Sequence, residues 1–330
     1  MATYKGIQGF AIQNLSSDPT TFITGQVWYN STDQVFKVTI SGTDDPDSWA
    51  TGGNLSTGRG EVGGAGTQTA ALIFGGSNPS PRTGITEEYN GTAWAAGGTM
   101  GIARKRLAGF GLQTAAVGFA GQGPIGTPVS DTELYDGTSW TSSGALGTAR
   151  YEPGGLGIQT AGLAFGGYTT PPQTAVAGTE EFGGSSWTAG GAMGTARGAT
   201  AGTGTQTAGL AIAGKITPSF AVTGATEEYD GSAWTAGGTL NTARASIGAA
   251  GTQTAGLAFG GEIGPPTGAT EKYDGTAWTT TTSMGTARYR FSSGGTQAAA
   301  FAAGGEPGSS VNTEEFSTGA GPAIRTITTT

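Results

Sequence analysis

The chain has 330 residues, with 64 Gly, 14 Pro, no Cys, no His and a formal net charge of −8. Without Cys there is no disulfide, thiolate nucleophile, zinc–thiolate site or iron–sulfur cluster. Without His there is no Ser-His-Asp triad and no imidazole-held metal, so no cofactor is expected and only carboxylate chemistry stays open. The acidic balance argues against nucleic acid, since a polyanion is bound by clustered Lys and Arg, and against an anionic membrane surface. The sequence has no run of 18 apolar residues that could cross a bilayer, and its first residues lack the apolar core of a secretory signal.

The N-terminal segment, residues 1–41, stands apart from the rest of the chain. Within it, Gly25-Gln26-Val27-Trp28-Tyr29-Asn30 and Val35-Phe36-Lys37-Val38 read as two strands around an Asn/Ser/Thr/Asp turn. Phe36, Val38 and Ile40 alternate with Lys37 and Thr39, which predicts a half-buried strand with the apolar set inward. The hairpin resembles one found in phage tail-fibre and other virion proteins: Gly-x-x-Trp-Tyr-Asn followed by an aromatic-Lys strand. That resemblance covers some 16 residues and implies a segment that attaches to other virion proteins. The acidic run Asp44-Asp45-Pro46-Asp47 offers oxygen ligands of the kind Ca²⁺ takes but reads more simply as a solvated turn, so no metal site is assigned.

From residue 42 onward one pattern recurs. Six tryptophans, Trp49, Trp94, Trp140, Trp187, Trp234 and Trp278, are spaced by 45, 46, 47, 47 and 44 residues. Arg59, Arg104, Arg150, Arg197, Arg244 and Arg288 follow in step. This period is the size of a four-stranded propeller blade. In the repeat after Arg244, strand a covers 245–251 and strand b covers 254–259, ending in Gly260-Gly261; strand c is Thr270–Tyr273 and strand d begins near Trp278. Asn90-Gly91, Asp136-Gly137, Asp230-Gly231 and Asp274-Gly275 sit between c and d, where a tight hairpin needs positive φ. Small residues in strand a suit the crowded innermost position. No segment carries helical periodicity with caps.

The order of apolar run, Gly-Gly, variable loop, aromatic, Trp and Arg resembles the kelch motif, six times over. The Gly pair becomes Ala120-Gly121 in the second repeat and Ala213-Gly214 in the fourth; the aromatic is Phe in two (Phe182 and Phe316). The resemblance implies an all-β, six-bladed propeller of four-stranded blades over 42–330. The sixth repeat lacks a Trp and an Arg, and the region around Trp49 lacks its a and b strands. Residues near Trp49 are therefore expected to supply the sixth blade's outer strand and close the ring, which would remove exposed edges. The tail 323–330 is left as an added strand or a loose end.

The repeated Trp and Arg, with Glu87/Glu88, Glu180/Glu181, Glu227/Glu228 and Glu314/Glu315, are expected to be scaffold: a catalytic group is usually unique in a ring, whereas structural contacts repeat with it. Function is expected in the variable b–c loops. That face collects Arg82, Lys105, Arg106, Lys215 and Arg290, with Tyr151, Tyr168, Phe220 and Tyr289. Aromatics stack on sugar rings, and the cations could hold a carboxylate or sulfate.

Kelch propellers serve as enzymes, adaptors and lectin-like binders alike. Galactose-oxidase-like members need His and a Cys–Tyr crosslink, which this chain cannot supply. Asp-Gly-Thr-Ala-Trp is similar to the sialidase Asp-box but departs from its spacing. The expectation is a non-enzymatic virion structural protein, in tail or neck fibre or as decoration, that presents its propeller to a host-surface glycan or protein. A homo-oligomer would fit that role. A bacterial kelch module, on the cell surface or in the cytoplasm, is the alternative.

Overall fold

The computed structural model describes residues 12–19, 26–40, 47–78, 81–169, 173–319 and 323–327. All regular structure among them is β: eight sheets, seven of them four-stranded, with antiparallel pairing throughout except for one pair at the N-terminus. None of the described residues forms a helix able to cross a membrane. The chain separates into two compact units, residues 49–317 and residues 1–48 with 318–330.

The larger unit is propeller-like. Five of its sheets have strands a, b, c and d in chain order, as in Gly63–Thr67, Ala70–Phe74, Thr86–Tyr89 and Trp94–Ala96. The sixth sheet takes Ser292–Gly295, Ala299–Ala303 and Thr313–Ser317 from the end of the chain and Ser48–Thr51 from its beginning, in the outer place that the missing tryptophan leaves open. Strand b is the most buried strand in each sheet; Leu72, Val117, Leu163, Leu210, Leu257 and Phe301 are fully buried.

The departures from Gly-Gly follow from backbone conformation. The first position has φ between 60° and 72°, and both Ala120 and Ala213 adopt it at 60°. The second has φ from 95° to 125°, beyond the small left-handed region open to side chains, and there glycine is constant.

Consecutive sheets are joined by the same polar clasps each time. Each Trp indole donates to the Thr at the head of a neighbouring strand c, as in Trp187 to Thr132 and Trp234 to Thr179, both 2.9 Å. Trp94 of the first repeat donates to Thr313 of the last at 2.9 Å, and Trp49, in the sixth sheet, donates to Thr270 of the fifth at 3.1 Å. The Gln of each Thr/Leu/Ile-Gln turn reaches back to two backbone carbonyls of the preceding sheet, for example Gln206 to Gly162 and Phe182 at 3.1 and 3.0 Å. Four Tyr hydroxyls donate to a Glu of the preceding sheet: Tyr89 to Glu315, Tyr135 to Glu88, Tyr229 to Glu181 and Tyr273 to Glu228. Where the Tyr is Phe182 or Phe316, the Glu position holds Leu134 or Lys272. Lys272 Nζ then lies 5.5 Å from the Phe316 ring. Donor and acceptor are exchanged together, so at these junctions neither a Tyr hydroxyl nor a Glu carboxylate is left facing an apolar partner.

The repeated arginines are buried, and each pairs with a Glu of its own repeat's strand c: Arg59–Glu87, Arg104–Glu133, Arg150–Glu180, Arg197–Glu227, Arg244–Glu271 and Arg288–Glu314. The same carboxylates accept loop N–H groups, as Glu227 does from Gly194 at 2.6 Å. These are scaffold contacts, repeated with the scaffold.

The smaller unit is a sheet ordered Gln13–Leu15, Val27–Asn30, Val35–Ile40, Ala323–Thr326, its first pair parallel. The tail is thus an added strand, paired from Lys37↔Thr326 to Ile40↔Ala323. It belongs with the N-terminal segment rather than with a domain spanning 42–330. The expected facing of the third strand is reversed at Phe36 and Lys37, while the side chains of Thr39 and Ile40 lie outside the described residues. Trp28 and Lys37 are register partners; Trp28 is fully buried, while Phe36 is 45% exposed beside Tyr29. The cause is Asp18, which accepts from the Trp28 indole, the Asn30 amide and the Lys37 ammonium. A partnered lysine can lie inward, whereas an unpartnered one could not. Of the acidic run, residues 44–46 lie outside the described residues; Asp47 accepts from the Gly319 N–H at 3.2 Å.

Candidate functional site

Two residues beyond each repeated arginine lies one residue with a left-handed backbone: Glu61, Arg106, Glu152, Ala199, Ser246 and Arg290, with φ between 51° and 59°. Each donates its N–H to the carbonyl of the equivalent residue in the preceding repeat. Arg290 donates to Ser246, Ser246 to Ala199, Ala199 to Glu152, Glu152 to Arg106, Arg106 to Glu61, and Glu61 back to Arg290, at 2.7–3.1 Å. The six hydrogen bonds form a closed cycle. The same residues line a cavity of about 100 Å³, with Val62, Leu107 and Phe291 among the apolar side chains beneath.

Four of the six side chains are charged, and their signs alternate. Arg106 Nε lies 2.5 Å from Glu61 and 3.5 Å from Glu152. Arg290 lies 3.7 Å from Glu61 and 2.8 Å from Glu152. Lys105 pairs with Glu61 at 2.6 Å, and the Ser77 hydroxyl donates to it at 3.0 Å. Burial pushes the Glu61 carboxyl up, but Lys105 and Arg106 outweigh it and hold the pKa at about 2. Burial likewise lowers Arg106, and Glu152 and Glu61 more than restore it, so its pKa is raised. The remaining third of the ring, Ala199 and Ser246, is small and uncharged.

The sequence-nominated residues fall around this mouth but not in the roles expected. Lys105, Arg106 and Arg290 are engaged by Glu61 and Glu152, and Lys215 pairs with Glu262 at 2.9 Å. Arg82 donates to the Pro124 carbonyl at 3.4 Å. An incoming carboxylate or sulfate would therefore compete with carboxylates already in place. Tyr151 and Tyr168 are buried and pack on each other with ring centres 5.5 Å apart. Burial, then the Glu152 charge, raises both phenol pKa values. Phe220 is 39% exposed near the turn joining Ala208–Ile216 to Ala221–Tyr229, and Tyr289 is half-buried with the Arg290 guanidinium over its ring at 5.5 Å. The acidic members of the ring, Glu61 and Glu152, and the small members were not nominated. A signal for them lies in the sequence: the second residue after each recurring Arg varies from acid to base to methyl.

Among the described residues no group of His, Cys, Asp and Glu is arranged to hold a metal ion. A comparison with models of known protein families matches none of them, and no curated protein matches the chain.

Proposed function

We propose that the chain is a closed, six-bladed, kelch-like propeller on a small terminal β unit, and that it serves as a non-enzymatic structural protein of a phage particle. The terminal unit attaches to other virion proteins, and the propeller is displayed with its b–c loops outward. Closure is supported by the hydrogen-bond cycle through residues 61, 106, 152, 199, 246 and 290, and by the Trp94–Thr313 and Tyr89–Glu315 bonds between the first and last repeats. A propeller in which all six junctions carry the same clasps has no open sheet edge to initiate aggregation, which suits a displayed module.

The observation that carries the virion reading is the hairpin Val27–Asn30/Val35–Ile40 with its Trp-Tyr-Asn strand. It is built into a unit of its own, to which the far end of the chain returns. Immunogold microscopy of particles from the source, with antibody raised against residues 60–330, tests it. Label at the neck, tail or capsid is the expected result. Particles that carry none refute the reading and turn attention to a cellular kelch module.

A further inference from the structure

The six ring positions share one backbone conformation, and it is one that disfavours side chains. A non-glycine residue in the left-handed region is strained relative to glycine. The chain has 64 glycines to spend, and constant glycines occupy neighbouring positive-φ sites such as Gly76, Gly121 and Gly167. Yet none of the six ring positions is glycine. Side chains are retained where their absence would relieve strain, and unlike the Arg, Gln and Trp of the scaffold they differ from repeat to repeat.

We infer that this ring is a binding site for one neutral, polyhydroxylated ring, a single hexopyranose unit of a glycan, which enters over Ala199 and Ser246 and hydrogen-bonds to Glu152, Arg106 and Arg290. The ligand class follows from the capacity the ring has already used up. Its formal charges are matched: an anion would meet Glu61 and Glu152, a cation would meet Arg106 and Arg290, and a zwitterion would have to break existing pairs. What remains is directional hydrogen-bonding capacity. Glu152 Oε1 and Arg290 Nε approach to 2.8 Å without making a hydrogen bond, and both atoms are buried with no other hydrogen-bond partner. A sugar hydroxyl both donates and accepts, so one hydroxyl serves a carboxylate and an adjacent guanidinium together. The cavity of about 100 Å³ seats one edge of a sugar ring among the ring side chains, with the rest of the sugar at the mouth, and its small-residue side gives a ring-shaped ligand a way in. The inference rests on the proposed closed propeller and names the ligand that its displayed face would take.

The test is saturation-transfer NMR on the full chain with the methyl glycosides of glucose, galactose, mannose and N-acetylglucosamine as neutral probes and glucuronate as the charged counterpart. At least one neutral glycoside should bind saturably, and more tightly than glucuronate. Glu152→Gln, which preserves shape, should weaken it by about tenfold or more, the loss expected for a hydrogen bond to a charged group. Ser246→Trp should abolish binding by filling the entry, and Ile158→Ala, an exposed side chain at the end of its strand farthest from the ring, should leave it unchanged; melting curves report whether each variant is folded. If Ser246→Trp does not fold, Glu152→Gln decides. Saturable binding by none of the four glycosides, equal or tighter binding of glucuronate, or binding that Glu152→Gln leaves intact would each overturn the inference. Labelled particles without sugar binding would sink this inference alone, and sugar binding by a protein absent from particles would sink only the virion reading.

Discussion

The exchange of Tyr–Glu for Phe–Leu between successive repeats is a double-mutant cycle already written into the chain, and it can be run deliberately. In the third and fourth repeats the Tyr229 hydroxyl donates to Glu181 at 2.6 Å; one repeat earlier the equivalent positions are Phe182 and Leu134. Tyr229→Phe deletes the donor and leaves Glu181 facing an apolar ring. A hydrogen bond to a charged group contributes about 1.5–3 kcal/mol; because Glu181 is only half-buried and water recovers part of the loss, about 1 kcal/mol is expected. Glu181→Leu strands the Tyr229 hydroxyl, at a similar cost. The double variant recreates the natural Phe–Leu pair and should be no less stable than either single variant. That gives a coupling of about 1–2 kcal/mol, within the range for residues in direct contact. Urea midpoints followed by tryptophan fluorescence provide the assay, with unchanged m-values as the check on a common unfolding transition. Costs that simply add in the double variant would refute the reading that these pairs are exchanged as units.

Acid should expose the ring hub. The Glu61 pKa is held at about 2, below the ordinary carboxylate value near 4.3. Its contribution, at most about 3 kcal/mol, is therefore fully present above pH ~5 and is lost as pH falls toward 2. Glu61→Gln should lower the melting temperature at pH 7, and its deficit relative to the parent should shrink on titration to pH 3; a deficit independent of pH would rule out the ion pairs as the cause. Gln206→Ala removes two bonds to buried-side carbonyls and should cost about 1–2 kcal/mol, read as a shift in urea midpoint. Gly121→Ala adds a side chain at φ +101°, 2.8 Å from the Lys105 carbonyl, and should destabilise by about 2–3 kcal/mol. Trp187→Ala deletes a largely buried indole packed 5.1 Å from Phe119 and 4.8 Å from Phe182, for a loss of about 3–5 kcal/mol. A melting curve unaltered by either of the last two changes would contradict the packing described.

The repeats could be read because their constraints are local and recur. Period, Gly pairs, Asn/Asp-Gly turns and the Trp–Arg spacing each report on a few adjacent residues, and six copies average out the noise. Features that depend on a single distant partner were hidden. Lys37 looked like the solvent side of its strand because nothing near it in sequence announces Asp18, which lies 19 residues earlier in a segment without periodicity. The tail strand Ala323–Thr326 is too short and too mixed to show a pattern. The mouth was half visible. Cations that break the repeat were easy to notice, but their partners Glu61 and Glu152 sit at the same ring position as Arg106 and Arg290 and were lost among the Glu residues of strand c. The constant Gln has no polar partner near it in sequence; only its recurrence in all six repeats marks it as a shared contact.

The path of the chain sets when the molecule can be finished. Strand Ser48–Thr51 completes a sheet whose other members span residues 292–317, and Val35–Ile40 waits for Ala323–Thr326. A ribosome moving at roughly 5–20 residues per second exposes the two early strands many seconds before their partners emerge. Neither sheet can be completed before Thr313–Ser317 and Ala323–Thr326 have left the exit tunnel. A chain stopped before residue 292 would leave Ser48–Thr51 without its sheet and Val35–Ile40 paired on one side only, with the five intervening sheets intact. A check is thereby built into the order of synthesis: only a product that extends through Ala323–Thr326 gives both early strands their late partners.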